Sequence, residues 1–213
     1  LDQIGKILEG YKSLTKQEVT AELQKSGILP TIDHVNLFLT WGEVEGIVCS
    51  GIDKGKKTTY ALLDERVPPT RELCREEALA RLASRYFHSH SPAQLQDFVW
   101  WSGLTATECR FAINLIKAEL MTETFDSREY FIHQSWKGKN ESEPVLRLLP
   151  AFDEYLISYK NRTDVLPLEH HPKAFNRFGT FYPVILYNGK IIGNWSRSIK
   201  KNTIHIDMDL SLI

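Results

Sequence analysis

The sequence predicts an α+β fold in which two tandem winged-helix modules precede a small, mostly antiparallel β domain. Two observations predict it: an internal repeat in the first two thirds of the chain, and a change from helical to alternating hydrophobic periodicity in the last third. We expect the modules to span residues 1–70 and 71–136, and the β domain to span residues 144–213. The polar stretch at residues 136–144 is the predicted linker.

The repeat emerges when the sequence is shifted by 76 positions against itself. Without a gap, this shift aligns Thr15 with Ser91 and Gly27 with Gly103. Thr15 and Ser91 are the predicted N-caps of the first helix in each copy, and the glycines provide the left-handed backbone of the turn that follows. This spacing is typical of a helix-turn-helix. The second helices are marked by Ile32, Val35, Leu39, Phe111 and Leu115.

Each copy continues into two strand-like runs joined by a polar turn, at residues 52–57 in the first copy and 126–128 in the second. These pairs are the predicted wings. A further helix is expected ahead of each helix-turn-helix, at residues 2–11 and 72–87. In the last third, alternating apolar and polar residues predict strands, and the pair Asn188-Gly189 predicts a two-residue hairpin turn.

The net charge is close to zero but is unevenly distributed. The chain has 213 residues, of which 26 are basic and 27 acidic, and this balance excludes a histone-like polycation. Residues 1–69 and 70–136 each carry a charge of −2, whereas residues 137–213 carry +3. We therefore expect any nucleic-acid surface to be local. No apolar run approaches the ~20 residues of a membrane helix, so we expect a cytoplasmic protein without membrane contact.

Side chains suited to catalysis or metal binding are scarce. The pair His88/His90 lacks a cysteine or an acidic residue within one turn, and His170/His171 lacks a cysteine, so we interpret them as loop histidines. Asp153 precedes a helix-like segment and is a better N-cap than general base. We expect no metal, no cofactor and no catalytic residue in this chain. Three widely spaced cysteines predict reduced core thiols: Cys49, Cys74 and Cys109.

The predicted second helices differ in their suitability for DNA. A DNA-reading second helix needs Arg, Lys, Asn or Gln on its exposed face. Residues 31–41 offer only His34 and Asn36, so we do not expect the first copy to recognise a DNA sequence. The second copy offers Arg110 and Lys117 as candidate DNA-binding residues.

The remaining candidates for DNA binding lie on the first wing and in the basic last third. Lys54, Lys56 and Lys57 surround a glycine at the wing tip, where ammonium groups can contact phosphates; a solvated hairpin tip is the alternative. In the last third, basic residues interleave with aromatic ones, as in surfaces that neutralise a backbone and stack on bases. The alternative there is an aromatic core under a basic rim. The candidates are Lys160, Arg162, Lys173, Arg177, Trp195, Arg197, Lys200 and Lys201.

Four stretches resemble, in this order, the bacterial winged-helix DNA-binding family that includes the DNA glycosylases unhooking interstrand crosslinks. They are YALLDERVPPT at residues 60–70, DFVWWSGL at 97–104, LLPAFDEYLISYKNR at 148–162 and PVILYNGKIIGNW at 183–195. The resemblance covers nearly the whole chain. The LLP-x-x-D segment with its downstream arginine is its most distinctive part.

The resemblance implies three tandem winged helices and a C-terminal β domain, of which this chain is similar to the second, the third and the β part. It also implies that the catalytic Gln-x-Gln or Gln-x-Asp of the glycosylases would precede Leu1, so we expect the chain to be part of a longer protein. Gln94-Leu95-Gln96 matches such a motif by its letters. Because it lies at the start of a helix in the later module, we interpret it as helix surface.

Three hypotheses for the function follow. The first is the DNA-clasping part of a crosslink-repair-type glycosylase: a monomer that binds double-stranded DNA, including damaged or crosslinked DNA, and is nucleoid-associated when bound. The second is a winged-helix DNA-binding or regulatory protein without enzymatic activity. The third is a protein-interaction module, whose mark would be an exposed apolar patch on residues 32–41.

Overall fold

A computed structural model describes residues 1–138 and 143–212 of the chain. The described backbone divides after Glu72 into two compact units. Both units combine helices with antiparallel sheets, which confirms the predicted α+β class. Residues 139–142 of the predicted linker lie outside the described residues. No helix in the described part of the chain is long and apolar enough to cross a membrane.

The first unit packs helices on a small sheet with strand order β1-β3-β2, in which both pairings are antiparallel. Its helices are α1 (Asp2–Leu8), α2 (Lys16–Lys25), α3 (Ile32–Val44) and α4 (Leu63–Arg66), and its strands are β1 (Leu14–Thr15), β2 (Val48–Ser50) and β3 (Thr59–Leu62). The apolar side chains that these elements direct inwards form one buried cluster: Ile4, Ile7, Leu8, Val19, Leu23, Val35, Leu39 and Val48.

The start of α2 and the turn to α3 form as the sequence predicts. The Thr15 hydroxyl accepts a hydrogen bond from Glu18 N at 3.3 Å, and the Glu18 carboxylate accepts one from Thr15 N at 2.7 Å. Gly27 has φ of +80°, in the left-handed region that favours glycine. This reciprocal cap and this turn fix the direction in which α3 leaves α2.

The second unit begins with a similar order of elements. Its helices α5 (Arg75–His90), α6 (Leu95–Ser102) and α7 (Ala106–Leu115) are followed by the hairpin of β4 (Leu120–Phe125) and β5 (Arg128–His133). Gly103 has φ of +69° between α6 and α7, as predicted. Thr105 caps α7 reciprocally with Glu108, so the cap of the first unit recurs one helix later.

Ser91 is an exception to the predicted repeat, because it does not cap α6. The N-cap is Gln94, whose backbone N–H donates to Asp97 Oδ2 at 2.9 Å. Ala93 pairs with Phe131 of β5 through backbone hydrogen bonds of 3.1 and 2.8 Å. This pairing keeps the backbone extended, so α6 begins later than a gapless repeat predicts, and Ser91 instead forms the C-cap of α5.

Two further expectations about cysteines and histidines are wrong. Only Cys109 is buried in the core, whereas Cys49 is half-buried and Cys74 is exposed at the N-cap of α5. His88 and His90 lie in the last turn of α5 and not in a loop, because the apolar face of this helix stays packed to its end.

The chain then forms a four-stranded antiparallel sheet with order β6-β7-β8-β9. Its strands are β6 (Leu146–Leu149), β7 (Val184–Tyr187), β8 (Lys190–Lys200) and β9 (Thr203–Asp209), with short helices α8 (Glu154–Ile157) and α9 (His171–Ala174) between β6 and β7. Asn188 and Gly189 both have positive φ in the turn between β7 and β8, as predicted. Asp153 caps α8 by accepting a hydrogen bond from Tyr155 N at 2.9 Å, which confirms its predicted role.

We predict that Glu18 and Glu108 titrate far below the usual range. The pKa of each is lowered from 4.5 to about 2, first by a hydrogen bond from Lys54 or Arg75, respectively, and then by the capping threonine. A lowered folded-state pKa contributes stability that is present above pH 4.5 and is lost as the pH falls towards 2. NMR titration of the two side-chain carboxyl carbons measures both values directly.

Substitutions of the two basic residues test how much each ion pair lowers the pKa of its glutamate. Lys54→Met should move the pKa of Glu18 upwards, and Arg75→Met should do the same for Glu108. Lys25→Met removes an exposed lysine that pairs with Glu22, and should leave both values in place. An unchanged Glu18 pKa in Lys54→Met would show that the ion pair is not formed in solution.

Candidate nucleic-acid interface

A groove of about 470 Å³ opens where α6 turns into α7 in the second unit. Residues of α6, the turn at Gly103 and the start of α7 form its walls, and Lys160, from the loop after α8, completes it. The groove brings together Arg110 and Lys160, two predicted DNA-binding residues that are far apart in the sequence. Its side chains with donor, charge or stacking capacity are all exposed: Gln96, Trp100, Arg110 and Lys160. We call this surface the α6–α7 groove.

Helical periodicity explains why Gln96 and Trp100 line the groove. The two residues are four positions apart on α6, so they lie on one face of the helix. Asp97 and Phe98 face the opposite way and are buried. As a result, α6 presents an amide and an indole, which is 51% exposed, to the same side as the two cations.

Lys160 reaches the groove because its segment is anchored on α6. Asp97 is 4% exposed, and its Oδ2 and Oδ1 accept hydrogen bonds from Gln94 N and Lys160 N, each at 2.9 Å. A buried carboxylate is stable when its oxygens are satisfied in this way, and charge-assisted bonds of this kind are strong. The Trp100 indole adds a further link by donating Nε1–H to Ile157 O at 2.9 Å.

Arg162 lies beneath this anchor and is 8% exposed. Its Nε donates to Leu156 O at 2.5 Å, and its Nη1 donates to Lys160 O at 3.3 Å. Burial lowers the pKa of the guanidinium, but the group stays protonated at any pH that the protein tolerates. Three ring centroids lie 5.2 to 5.5 Å from the guanidinium carbon, those of Trp100, Phe175 and Phe181. Arg162 is therefore placed to hold the segment, and its side chain is not directed at solvent.

A smaller cavity of about 270 Å³ borders the same anchor. Tyr130, Tyr155 and Tyr159 are among the residues that line it. Tyr159 donates its hydroxyl to His90 O at 2.9 Å and Tyr155 donates to Gly189 O at 3.1 Å. Burial raises the pKa of Tyr155 and raises that of Tyr159 to about 12, so both phenols stay protonated. Both hydroxyl groups therefore donate their hydrogen bonds to backbone carbonyls of the protein.

In the first unit, the predicted lysine cluster lies at the tip of the hairpin between β2 and β3. Lys54 and Lys57 form an isolated bridge around the tip, and all three lysines, including Lys56, are exposed. Lys54 is paired with Glu18 of α2 at 2.8 Å, so its charge is partly neutralised. Lys56 and Lys57 are the better placed of the three for phosphate contact.

Strands β8 and β9 extend past the sheet as a two-stranded arm. Strand β7 pairs with β8 only as far as Asn194, whereas β9 pairs with β8 up to Lys200. Directly paired residues lie on one face of the ribbon, so Arg197 shares its face with Ile206. The predicted cations Arg197, Lys200 and Lys201 are exposed on this arm. The other exposed residues on the Arg197 face are Ile199, Ile204 and Met208.

Trp195 lies at the base of the arm and is half-buried. Its Nε1–H donates to Leu149 O at 2.7 Å, which ties the ring to β6. This geometry favours a structural role for Trp195 over stacking on a base.

The other predicted residues lie outside the groove and the arm. Lys117 is exposed in the 3-10 turn after α7. Lys173 donates to Ser211 Oγ at 2.7 Å, and the Arg177 guanidinium carbon lies 4.8 Å from the centroid of the exposed Phe178 ring. Among residues 1–138 and 143–212, no group of three His, Cys, Asp or Glu side chains is placed to hold a metal ion.

Gln96 and Trp100 were missed by sequence reasoning as members of the site. The sequence places Gln96 on the helix surface and Trp100 in the DFVWWSGL motif, and neither position by itself indicates a binding site. The signal was nevertheless present, because Phe98 and Trp101 mark the inner face of α6 and thereby place Gln96 and Trp100 outside. The contribution of Lys160 to the same groove had no local signal, since it depends on the long-range bond to Asp97.

We predict that Arg162 stabilises the second unit and does not contact phosphate. Arg162→Lys keeps the charge but cannot reproduce the planar fork, so buried carbonyls lose donors and the free energy of unfolding should fall by about 1–3 kcal/mol. Denaturant unfolding followed by tryptophan fluorescence measures this loss. The dependence of duplex-DNA affinity on salt should keep its slope. A slope reduced by about one, with unchanged stability, would instead assign Arg162 to a phosphate contact.

Comparison with known proteins identifies the family of the chain. A sequence profile described as DNA glycosylase AlkZ-like matches residues 1–212. The chain is 24% identical over 209 residues to an interstrand DNA cross-link repair glycosylase of Streptomyces sahachiroi, covering 91% of this chain and 56% of the relative. The solved structure of the S. sahachiroi DNA glycosylase AlkZ aligns with a TM-score of 0.70 and 20% identity, covering 96% of this chain and 58% of that one.

The chain spans little more than half of the length of these relatives. At 20% identity, the structural likeness concerns the fold alone. The profile match extends over nearly every residue, so the chain belongs to the AlkZ-like DNA glycosylase family.

Proposed function

We propose that this chain is the DNA-clasping part of a crosslink-repair-type DNA glycosylase. The observation that carries the proposal is the α6–α7 groove, where an amide, an exposed indole, a guanidinium and an ammonium group meet beside the turn between two helices. Backbone phosphates attract the two cations, and the indole offers a face on which a distorted or exposed base can stack.

The proposal includes two tandem winged helices, at residues 1–70 and 71–136, and a β domain at residues 144–213. What supports it is the recurring order of a helix, a short extended segment, two helices joined at a left-handed glycine, and a hairpin. In this arrangement α7 is the helix placed to face the DNA in the second module, and the hairpins are the wings. Lys56 and Lys57 provide the cations of the first wing.

Binding with little sequence preference fits this set of residues. Phosphate contacts position a protein on DNA without reading bases, and most of the exposed candidates are lysines and arginines. The groove has only Gln96 as a side-chain amide for base edges. The β8–β9 arm adds Arg197, Lys200 and Lys201, and a two-stranded ribbon of this kind is a shape that enters a DNA groove. Shape and distortion of the duplex would then select the target.

Catalysis is assigned in this proposal to a part of the protein outside these residues. The S. sahachiroi relative is described as an interstrand cross-link repair glycosylase, and the chain covers 56% of it. Gln94 and Gln96 are not given a catalytic role, since Gln94 caps α6 and Gln96 lines the groove. We propose a monomer that acts on DNA in the cytoplasm, at the nucleoid.

A DNA-binding or regulatory protein without enzymatic activity remains the alternative, because every contact above concerns binding. A glycosylase assay of the longer parent protein on a duplex with an alkylated purine separates the two. Base release that disappears when a glutamine outside this chain is changed would exclude the alternative.

We predict that Arg110→Ala combined with Lys160→Ala weakens duplex-DNA binding about tenfold or more at low salt. Each phosphate contact contributes about one unit to the slope of log affinity against log salt, so the slope should fall by about two. Fluorescence anisotropy with a labelled duplex over a range of salt concentrations measures both changes.

The matched control is Lys25→Ala combined with Arg66→Ala, which removes two exposed positive charges from the first unit. It should leave the salt slope unchanged. Equal losses of DNA affinity in the two double variants would show that the effect comes from the net charge of the chain and not from the groove. A wild-type chain whose binding does not respond to salt would refute direct DNA binding by these residues.

A further inference from the structure

The outer face of α3 is unusually apolar for an exposed helix. Leu37, Trp41 and Val44 are 64%, 49% and 79% exposed. Their spacing of four and then three residues places them in one stripe along the helix. The opposite side of α3 is packed in the core of the first unit. A helix that is apolar all round is normally covered on both sides, and here one side is uncovered.

Phe38 borders this stripe, since it lies three residues before Trp41, and it is 37% exposed. Leu29 and Ile47, each three residues beyond an end of α3, are 83% and 38% exposed. We call the surface formed by Leu37, Phe38, Trp41 and Val44 the α3 face. Exposed apolar surfaces of this kind mark sites that bind other proteins.

Two carboxylates border the stripe, and α3 itself contains no lysine or arginine. Asp33 lies four residues before Leu37, one turn along the same side of the helix. The carboxylate of Glu45 borders the stripe directly, since its Oε1 accepts a hydrogen bond from Trp41 Nε1 at 3.1 Å. Anionic groups repel the DNA backbone and favour a cationic partner. In a symmetric pair of copies, this acidic rim would meet itself, which disfavours a second copy as the occupant.

We propose that the α3 face binds an amphipathic protein helix whose apolar stripe is bordered by lysine or arginine. Apolar anchors at helical spacing would pack on Leu37, Trp41 and Val44, as in other complexes of a helix with an apolar surface. The basic border would then pair with Asp33 and Glu45. The proposal concerns α3 and goes beyond the proposed DNA binding, which rests on the α6–α7 groove, the first wing and the β8–β9 arm, so either can fail without the other.

Fluorine NMR of the intact chain labelled with 5-fluorotryptophan tests the proposal. The chain has five tryptophans, and the resonance that disappears in Trp41→Phe belongs to the α3 face. The probes are a synthetic Leu/Lys peptide of about 18 residues, long enough to form a stable helix on binding, and a Leu/Glu peptide with the same leucine positions. The Leu/Lys peptide should shift the Trp41 resonance and leave the other four in place. It should bind at least about tenfold more tightly than the Leu/Glu peptide.

A double variant and its control locate the binding. Leu37→Glu with Val44→Glu should weaken binding of the Leu/Lys peptide at least about tenfold, because the two carboxylates interrupt the apolar stripe. Ile204→Glu with Ile206→Glu places the same charges on exposed apolar residues of β9 and should have no effect. Equal binding of both peptides, or equal losses in both variants, would overturn the proposal.

Two other occupants give distinct results. A Trp41 shift that depends on protein concentration without peptide, together with a dimer in sedimentation, would assign the α3 face to a second copy. A Trp41 shift caused by duplex DNA would make α3 a DNA-binding helix. Either result would overturn the proposal.

Discussion

The carboxylate of Asp97 sits in the protein interior between the start of α6 and the chain that follows α8, and it accepts one backbone hydrogen bond from each side. The position of Lys160 in the α6–α7 groove depends on this contact. Arg162 supports it from below, by donating to carbonyls of the same segment and packing against aromatic rings. Two of the sequence stretches that carry the family resemblance, at residues 97–104 and 148–162, therefore meet at this contact. Asp97 and Arg162, one in each stretch, join α6 and the segment after α8 into one surface.

The two copies of the helix pair keep the same scaffold and differ in surface chemistry. Both use a reciprocal Thr–Glu cap and a left-handed glycine, although the cap lies on α2 in one copy and on α7 in the other. The second copy presents Arg110 in a groove completed by a cation from elsewhere in the chain. The first copy presents an apolar helix with acidic neighbours. The caps and glycines fix the backbone of both copies, so their exposed side chains can differ without changing the fold. The two copies are therefore suited to different partners.

Much of this fold follows from local signals. Gly27, Gly103 and the pair Asn188-Gly189 lie where positive φ is needed, and Asp153 caps a helix as its position predicts. Ser91 does not cap α6 because a long-range pairing of Ala93 with Phe131 delays the helix, and a gapless repeat contains no trace of that pairing.

The sequence predicts which basic residues belong to the candidate site, but it does not predict how they are arranged in space. Arg110 and Lys160 were identified as basic residues, but their meeting in one groove depends on a hydrogen bond between residues 63 positions apart. Arg162 and Trp195 belong to the same basic and aromatic stretch, yet both are held by backbone carbonyls. Composition alone does not distinguish a buried arginine from an exposed one. Exposure is decided by the neighbours that the fold assembles.

Hydrogen–deuterium exchange of the chain with and without duplex DNA tests the central claim most directly. If α6, α7 and the segment anchored by Asp97 form one DNA-binding surface, DNA should slow exchange at residues 95–115 and 157–162 together, with the same dependence on DNA concentration. The amides of α3 should exchange as before. Slower exchange in α3 with no change at residues 157–162 would contradict the account.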